Sequence, residues 1–109
     1  MANPGSQMRG KVAFIGAADT EVGKLPGRTP MELCAEAALK AIDDAGLKKS
    51  DVDGLLSCSS MAQPLMYPAE ALAEYLQMFP RYCMAVGAGG GTTFSAIHHA
   101  ASAIVTGMA

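Results

Sequence analysis

The sequence predicts an α/β fold in which strands and helices alternate along the chain. Three apolar runs of strand length, around residues 12–15, 55–58 and 81–86, are each followed by a stretch with helical spacing of apolar residues. The order strand, helix, strand, helix, strand, helix implies parallel pairing through right-handed crossovers. Half of the residues are hydrophobic, so a core is affordable, but only 6% are aromatic and Trp is absent. Such a core is built from Ala, Leu, Ile, Val and Met, which bury little area each at about 25 cal/mol per Å².

The first strand is read from Val12-Ala13-Phe14-Ile15, ending at Gly16. A loop rich in Gly, Asp, Thr and Pro follows over residues 18–28. Thr29-Pro30-Met31-Glu32 then has the chemistry of a helix start: a capping hydroxyl, a proline at the first helical position, and a glutamate where a capping box needs it. The expected apolar stripe is Cys34, Ala38, Ala41, Ile42 and Ala45, with Gly46 as the stop.

Asp51-Val52-Asp53-Gly54 reads as a turn, and Leu55 and Leu56 open a second strand running towards Cys58. Residues 59–67 form a loop. Its Met61, Met66 and Tyr67 suit an acyl pocket, a subunit contact or an ordinary surface. Pro68 opens a second helix, with Leu72, Tyr75, Leu76 and Phe79 on one face and Pro80 as its end. The third strand covers residues 81–86.

Gly87-Ala88-Gly89-Gly90-Gly91 follows, and Thr92 and Thr93 start a third helix bearing Phe94, Ile97, Ala101 and Ile104 on one face. Its other faces, with Ala96, Ala100, Ala103 and Val105, are small or apolar too. A helix that is apolar nearly all round belongs at the centre of a protein. After Gly107 a further strand is expected.

Composition excludes several functions. The net charge is -2, and no basic run or stripe is present, which argues against nucleic acid as a partner. No apolar run reaches membrane-spanning length. Residues 1–9 lack the apolar core of a secretory signal and read as a flexible polar arm before a domain at 10–109. Cys34, Cys58 and Cys83 are odd in number, widely spaced and without a CxxC pair. They read as small buried residues of a cytoplasmic protein, not as a disulfide framework or zinc site.

The order and spacing of these elements resemble the opening of the thiolase superfamily. The likeness rests on the strand ending at Gly16, the Thr29-Pro30 helix start, Asp44-Ala45-Gly46-Leu47 closing that helix, and Asp51-Val52-Asp53-Gly54 leading into a strand. It extends to the small-residue turn before Ile97-His98-His99-Ala100-Ala101-Ser102-Ala103-Ile104. The sterol-carrier, lipid-transfer branch is the most similar. The resemblance implies an N-terminal piece of a thiolase-like half, a mostly parallel sheet with a central buried third helix, and a homodimer with the third strand near its contact.

In thiolases the turn before this helix carries a cysteine in a Cys-x-Ser-Gly pattern. The matching position is Gly90, followed by Gly91, Thr92 and Thr93, so no nucleophile stands there. A helix N-terminus lowers a thiol pKa, and glycine keeps that electrostatic field while removing the attacking atom. The free N–H groups remain able to hold an anion or an enolate oxygen.

Relatives of this kind that lack the cysteine resemble retro-aldolases. They cleave β-hydroxyacyl-CoA thioesters beside a separate OB-fold partner, with a base from later in the chain. The resemblance therefore implies a fatty-acyl or steroid-type acyl-CoA substrate and no resident cofactor, coenzyme A arriving as part of the substrate. It places substrate contact at Gly89, Gly90, Gly91 and Thr92, through their backbone.

Two other readings stand beside it. One is a non-catalytic thiolase-like subunit kept for assembly. The other is a nucleotide-binding α/β domain, from the Gly-x-Gly-x-x-Thr spacing of Gly87, Gly89 and Thr92 after a strand. Gly23-Lys24 does not make a P-loop, because Leu25 stands where the magnesium-binding hydroxyl belongs. His98 and His99 point about 100° apart on a helix and do not share a metal. One of them is expected to be a buried helix residue or an interface contact.

Overall fold

The computed structural model describes residues 7–109. The first six residues of the expected arm lie outside them, and residues 8–11 form a turn closed by the Lys11 N–H donating to Met8 O at 3.1 Å. The architecture is α/β, with three helices and a two-stranded parallel sheet.

Helix α1 (Pro30–Asp44) starts as the sequence dictates. The Glu32 N–H donates to Thr29 Oγ1 and the Thr29 N–H to Glu32 Oε2, each at 3.2 Å, which satisfies two of the helix's unpaired donors. Arg28 and Lys40 flank Glu36 on its solvent side. Hydrogen bonds from Lys40 and then Arg28 hold the Glu36 carboxyl below the usual carboxylate range. A lowered carboxylate pKa contributes stability above the ordinary value that is lost as pH falls through the lowered one. At an exposed pair that contribution is small. Gly46, with φ +71°, follows the helix as its stop.

Strands β1 (Gly54–Ser57) and β2 (Tyr82–Ala85) pair in parallel, Leu55 beside Cys83 and Leu56 beside Met84. Between them lies α2 (Pro68–Leu76). Alternation along β1 places the helices on both faces. Leu55 packs with Ala35, Leu72, Leu76 and Met78 in the core under α1 and α2. Leu56 turns the other way, towards Ala100 and Ala103 of α3 (Thr92–Val105). The sheet is thus held between an α1/α2 layer and α3.

Three expectations are corrected. Residues 11–17 are not a strand: Phe14 is 77% exposed and Ile15 64%. An apolar run becomes a strand only with a partner for its backbone, and among the described residues no ladder bond joins it to β1. It is held instead at its far end, where the Ala17 N–H donates to Asp44 Oδ2 at 3.0 Å.

The buried face of α1 departs from the expected stripe at Cys34, while Ala38, Ala41, Ile42 and Ala45 of that stripe are half-buried. Ala35 is buried, with Met31 and Ala38 against the core, while Cys34 is exposed at the edge of that face. Small side chains at 35 and 38 let α1 approach α2.

Helix α2 ends at Leu76, well before Pro80, leaving Tyr75 55% and Phe79 96% exposed. Gln77 takes a left-handed conformation, φ 54°, and its N–H bonds Glu74 O while the Met78 N–H bonds Ala73 O at 2.8 Å. This is a Schellman ending, and it swings Met78 into the core in place of Phe79. The position normally prefers glycine because a Cβ crowds the following carbonyl. Gln77→Gly is expected to raise stability by about 0.5–1 kcal/mol, read as a higher thermal midpoint.

Helix α3 is largely uncovered within these residues. Ala103 is its only fully buried residue among those described, and Phe94 is 78% exposed. With two strands in the sheet, only its Ala100–Ala103 edge finds a surface to cover. Phe14, Ile15, Phe94 and Ile104 leave apolar surface open. The 109-residue polypeptide on its own is therefore expected to self-associate. A single monomer boundary in sedimentation velocity at micromolar concentration would contradict this.

Candidate functional site at the carboxyl end of the sheet

Parallel pairing decides where chemistry is placed. Because β1 and β2 run the same way, the loops that leave them emerge at the same end of the sheet, and the Val86 N–H donating to Ser57 O at 2.9 Å extends the pairing to that end. The carboxyl end of parallel strands is where α/β sheets bind ligands. Two segments leave the sheet there: the loop over 58–67 and the glycine turn over 87–91. The N-terminus of α1 arrives as well, since α1 runs back against β1. Its Met31 N–H donates to Gln63 Oε1 of the loop at 3.0 Å.

The glycine turn brings its four expected residues together. Gly89–Gly91 form a single 3₁₀ turn that feeds directly into α3 at Thr92. Gly89 sits at φ +56°, where a side chain is strained. Gly90 and Gly91 are glycine for another reason. A Cβ built on either meets nothing within 4 Å, so no protein neighbour requires its absence. The space above them is open.

Thr92 closes the turn from inside. Its Oγ1 accepts from the Ala88 N–H at 2.9 Å and donates to Gly89 O at 2.8 Å. The hydroxyl is thus committed to the turn, and what faces outward is backbone at the positive end of α3.

The loop is ordered by its own hydroxyls. Ser59 Oγ accepts from the Leu65 N–H at 2.9 Å and Ser60 Oγ from the Ala62 N–H at 3.1 Å. Met61, Met66 and Tyr67 consequently stand out, 99%, 83% and 65% exposed. Gln63, which ties the loop to α1, is the residue that sequence reading misses. A single glutamine in a polar loop carries no periodic signal.

The expected burial of the cysteines is also corrected. Cys34 and Cys58 are exposed, and Cys83 on β2 is half-buried. Desolvation raises the Cys34 thiol, and nearby Cys58 raises it further. Desolvation, with Glu70 behind it, raises Cys83. Neither Cys34 nor Cys83 is activated as a nucleophile. His98 is exposed and His99 half-buried, their rings edge-to-face at 6.4 Å, and neither is in the core.

A large concavity, about 850 Å³, lies elsewhere, on the outer flank of α2. Glu70 and Glu74 on its wall oppose a phosphate-bearing ligand, so it does not suit a coenzyme A thioester. Among the described residues, no three His, Cys, Asp or Glu side chains cluster to hold a metal. Among the same residues, no helix is long and apolar enough to cross a membrane.

No protein-family model matches the chain. Two curated proteins do. A steroid side-chain-cleaving aldolase from Thermomonospora curvata is 39% identical over 106 residues, covering 95% of this chain and 26% of the aldolase. A 17-hydroxy-3-oxo-4-pregnene-20-carboxyl-CoA lyase from Mycobacterium tuberculosis is 35% identical over 104 residues, covering 94% of this chain and 26% of the lyase.

Both similar proteins are named for cleavage. The chain spans about a quarter of the length of the curated relatives it matches. These matches overturn the thiolase resemblance: the relatives are an aldolase and a lyase, not thiolases.

Proposed function

We propose that this chain contributes the glycine-turn face of an active site that cleaves a carbon–carbon bond in a steroid-type β-hydroxyacyl-CoA by a retro-aldol reaction. The observation that carries the reading is the match of nearly the whole chain to an aldolase and a lyase whose printed names state steroid side-chain cleavage and a steroid carboxyl-CoA.

The chemistry fits the turn. A base takes the proton of the β-hydroxyl, the C–O bond becomes C=O, and the neighbouring carbon–carbon bond breaks. Its electron pair passes into the thioester enolate, which is then protonated at carbon. The enolate oxygen needs N–H donors, and no covalent acyl intermediate is required. The Gly91 and Thr92 N–H groups are engaged by Ala88 O and Gly89 O inside the turn, so of the four residues Gly89 and Gly90 are the ones to offer N–H donors near the positive end of α3, and the lack of a nucleophile at Gly90 is no obstacle. Met61, Met66 and Tyr67 offer apolar surface to a steroid on the loop that leaves the same end of the sheet. The base is not assigned to any residue of this chain.

Coenzyme A enters as part of the substrate. A homodimer and a separate OB-fold partner complete the proposed assembly, and the exposed apolar residues support some partner.

The test is direct. The full-length protein, alone and with an OB-fold partner, is incubated with 17-hydroxy-3-oxo-4-pregnene-20-carboxyl-CoA. A steroid ketone and a shortened acyl-CoA, followed by mass spectrometry, are the expected products. Intact substrate in both incubations would overturn the proposal and favour a non-catalytic subunit.

A further inference from the structure

Cys34 and Cys58, far apart in sequence, line the same crevice of about 30 Å³ together with Met31 and Gln63. Both cysteines are exposed. Each is carried by an anchored stretch of backbone. Cys34 stands near the start of α1, whose Met31 N–H is tied to Gln63 at 3.0 Å. Cys58 directly follows β1, where Ser57 O is held by the Val86 N–H at 2.9 Å. The two thiols thus open on one crevice, and Cys58 adds to the upward push that desolvation gives the Cys34 thiol. Cys83 is separate: it lines the concavity on the flank of α2, beside Glu70 and Ala73.

We propose that Cys34 and Cys58 form a reversible disulfide, a redox-modification site that staples the start of α1 to the end of β1 beneath the 59–67 loop. The oxidant is a small-molecule disulfide. One protein thiolate attacks it, forming a mixed disulfide and releasing one small thiol. The second protein thiolate then displaces the other small thiol. The protein loses two hydrogens, and the small-molecule disulfide leaves reduced as two thiols.

The loop above the staple carries the exposed Met61, Met66 and Tyr67 and leaves the same end of the sheet as the glycine turn. Cross-linking fixes the base of that loop and limits how far it opens for a bulky ligand. This consequence rests on the proposed function. The bond itself does not, and a failed cleavage assay would leave it intact.

The full-length protein is reduced, desalted and equilibrated with oxidised and reduced glutathione, then alkylated and mapped by non-reducing peptide mass spectrometry. The expected result is a peptide linking Cys34 to Cys58, reversed by dithiothreitol, with Cys83 recovered as an alkylated thiol. Cys83→Ser leaves the link in place. Cys34→Ser and Cys58→Ser each abolish it and leave the remaining partner as a glutathione adduct. Separate glutathione adducts on Cys34 and Cys58 in the unsubstituted protein, a link to Cys83, or three free thiols would each overturn the proposal.

Discussion

Gly16→Ala is expected to detach the first segment of the chain from α1, at a cost of about 1–3 kcal/mol. An added Cβ at Gly16 falls directly onto the backbone oxygen of Ala41 and lies 2.9 Å from the Ala45 Cβ. Neither neighbour is a flexible side chain that can swing aside. Ala41 O is also occupied inside the helix end, accepting from the Ala45 N–H at 3.0 Å. Relief therefore comes from moving residues 12–17 outward, which breaks the bond from the Ala17 N–H to Asp44 Oδ2.

Hydrogen exchange reads this outcome locally. The Ala17 amide should lose its protection while the core amides of α2 keep theirs. Gly90→Ala serves as the comparison, because its Cβ meets nothing within 4 Å. Equal protection at Ala17 in Gly16→Ala and the parent protein would show that the segment is not seated on α1 by this contact.

The same segment marks the limit of what the sequence discloses. Where a local signal has a local cause, the structure follows it. Thr29, Pro30 and Glu32 form the capping box their spacing announces, and Gly46 and Gly107 sit at φ +71° and +77° just past their helices. The Leu55–Leu56 run becomes β1, and the run before the glycines becomes β2. Each of these depends on residues within one turn or one strand.

Failures occur where the deciding partner is distant. Val12-Ala13-Phe14-Ile15 has a strand's composition, but pairing is a property of two segments, and its neighbour does not bond to it. Phe79 carries the helical period, yet the left-handed turn at Gln77 cuts the helix first and gives the core position to Met78. No residue type announces that turn, since glutamine is not its usual occupant.

The cysteines show a similar limit. A period of 3.6 puts Cys34 on the apolar stripe, and a buried face built on Ala35 leaves it exposed at the edge. Which face is buried depends on where α2 lies, and α2 is separated from α1 by a strand and a loop.

The glycine turn itself is legible in the sequence because its signal is local: small residues between a strand and a helix. Its companion at the sheet end is not, because only parallel register brings the 58–67 loop to the same end. That juxtaposition leads to the sharpest test of the functional proposal. Gly90→Leu is expected to lower kcat/KM for the steroid-type β-hydroxyacyl-CoA by about 100-fold or more, with stability changed by no more than about 0.5 kcal/mol.

The reasoning separates two causes of a glycine. Gly89 is needed by the backbone, at φ +56°, so its replacement confounds folding with function. Gly90 has neither a positive φ nor a neighbour within 4 Å of an added Cβ, so the protein alone does not require it. If a thioester oxygen approaches the start of α3, a leucine at 90 occupies its path, and the smaller Gly90→Ala should lose less activity. The unfolding midpoint and kcat/KM must be measured on the same preparations. Full turnover by Gly90→Leu would place the thioester away from this turn, and the search for the enolate-stabilising donors would move to the rest of the active site.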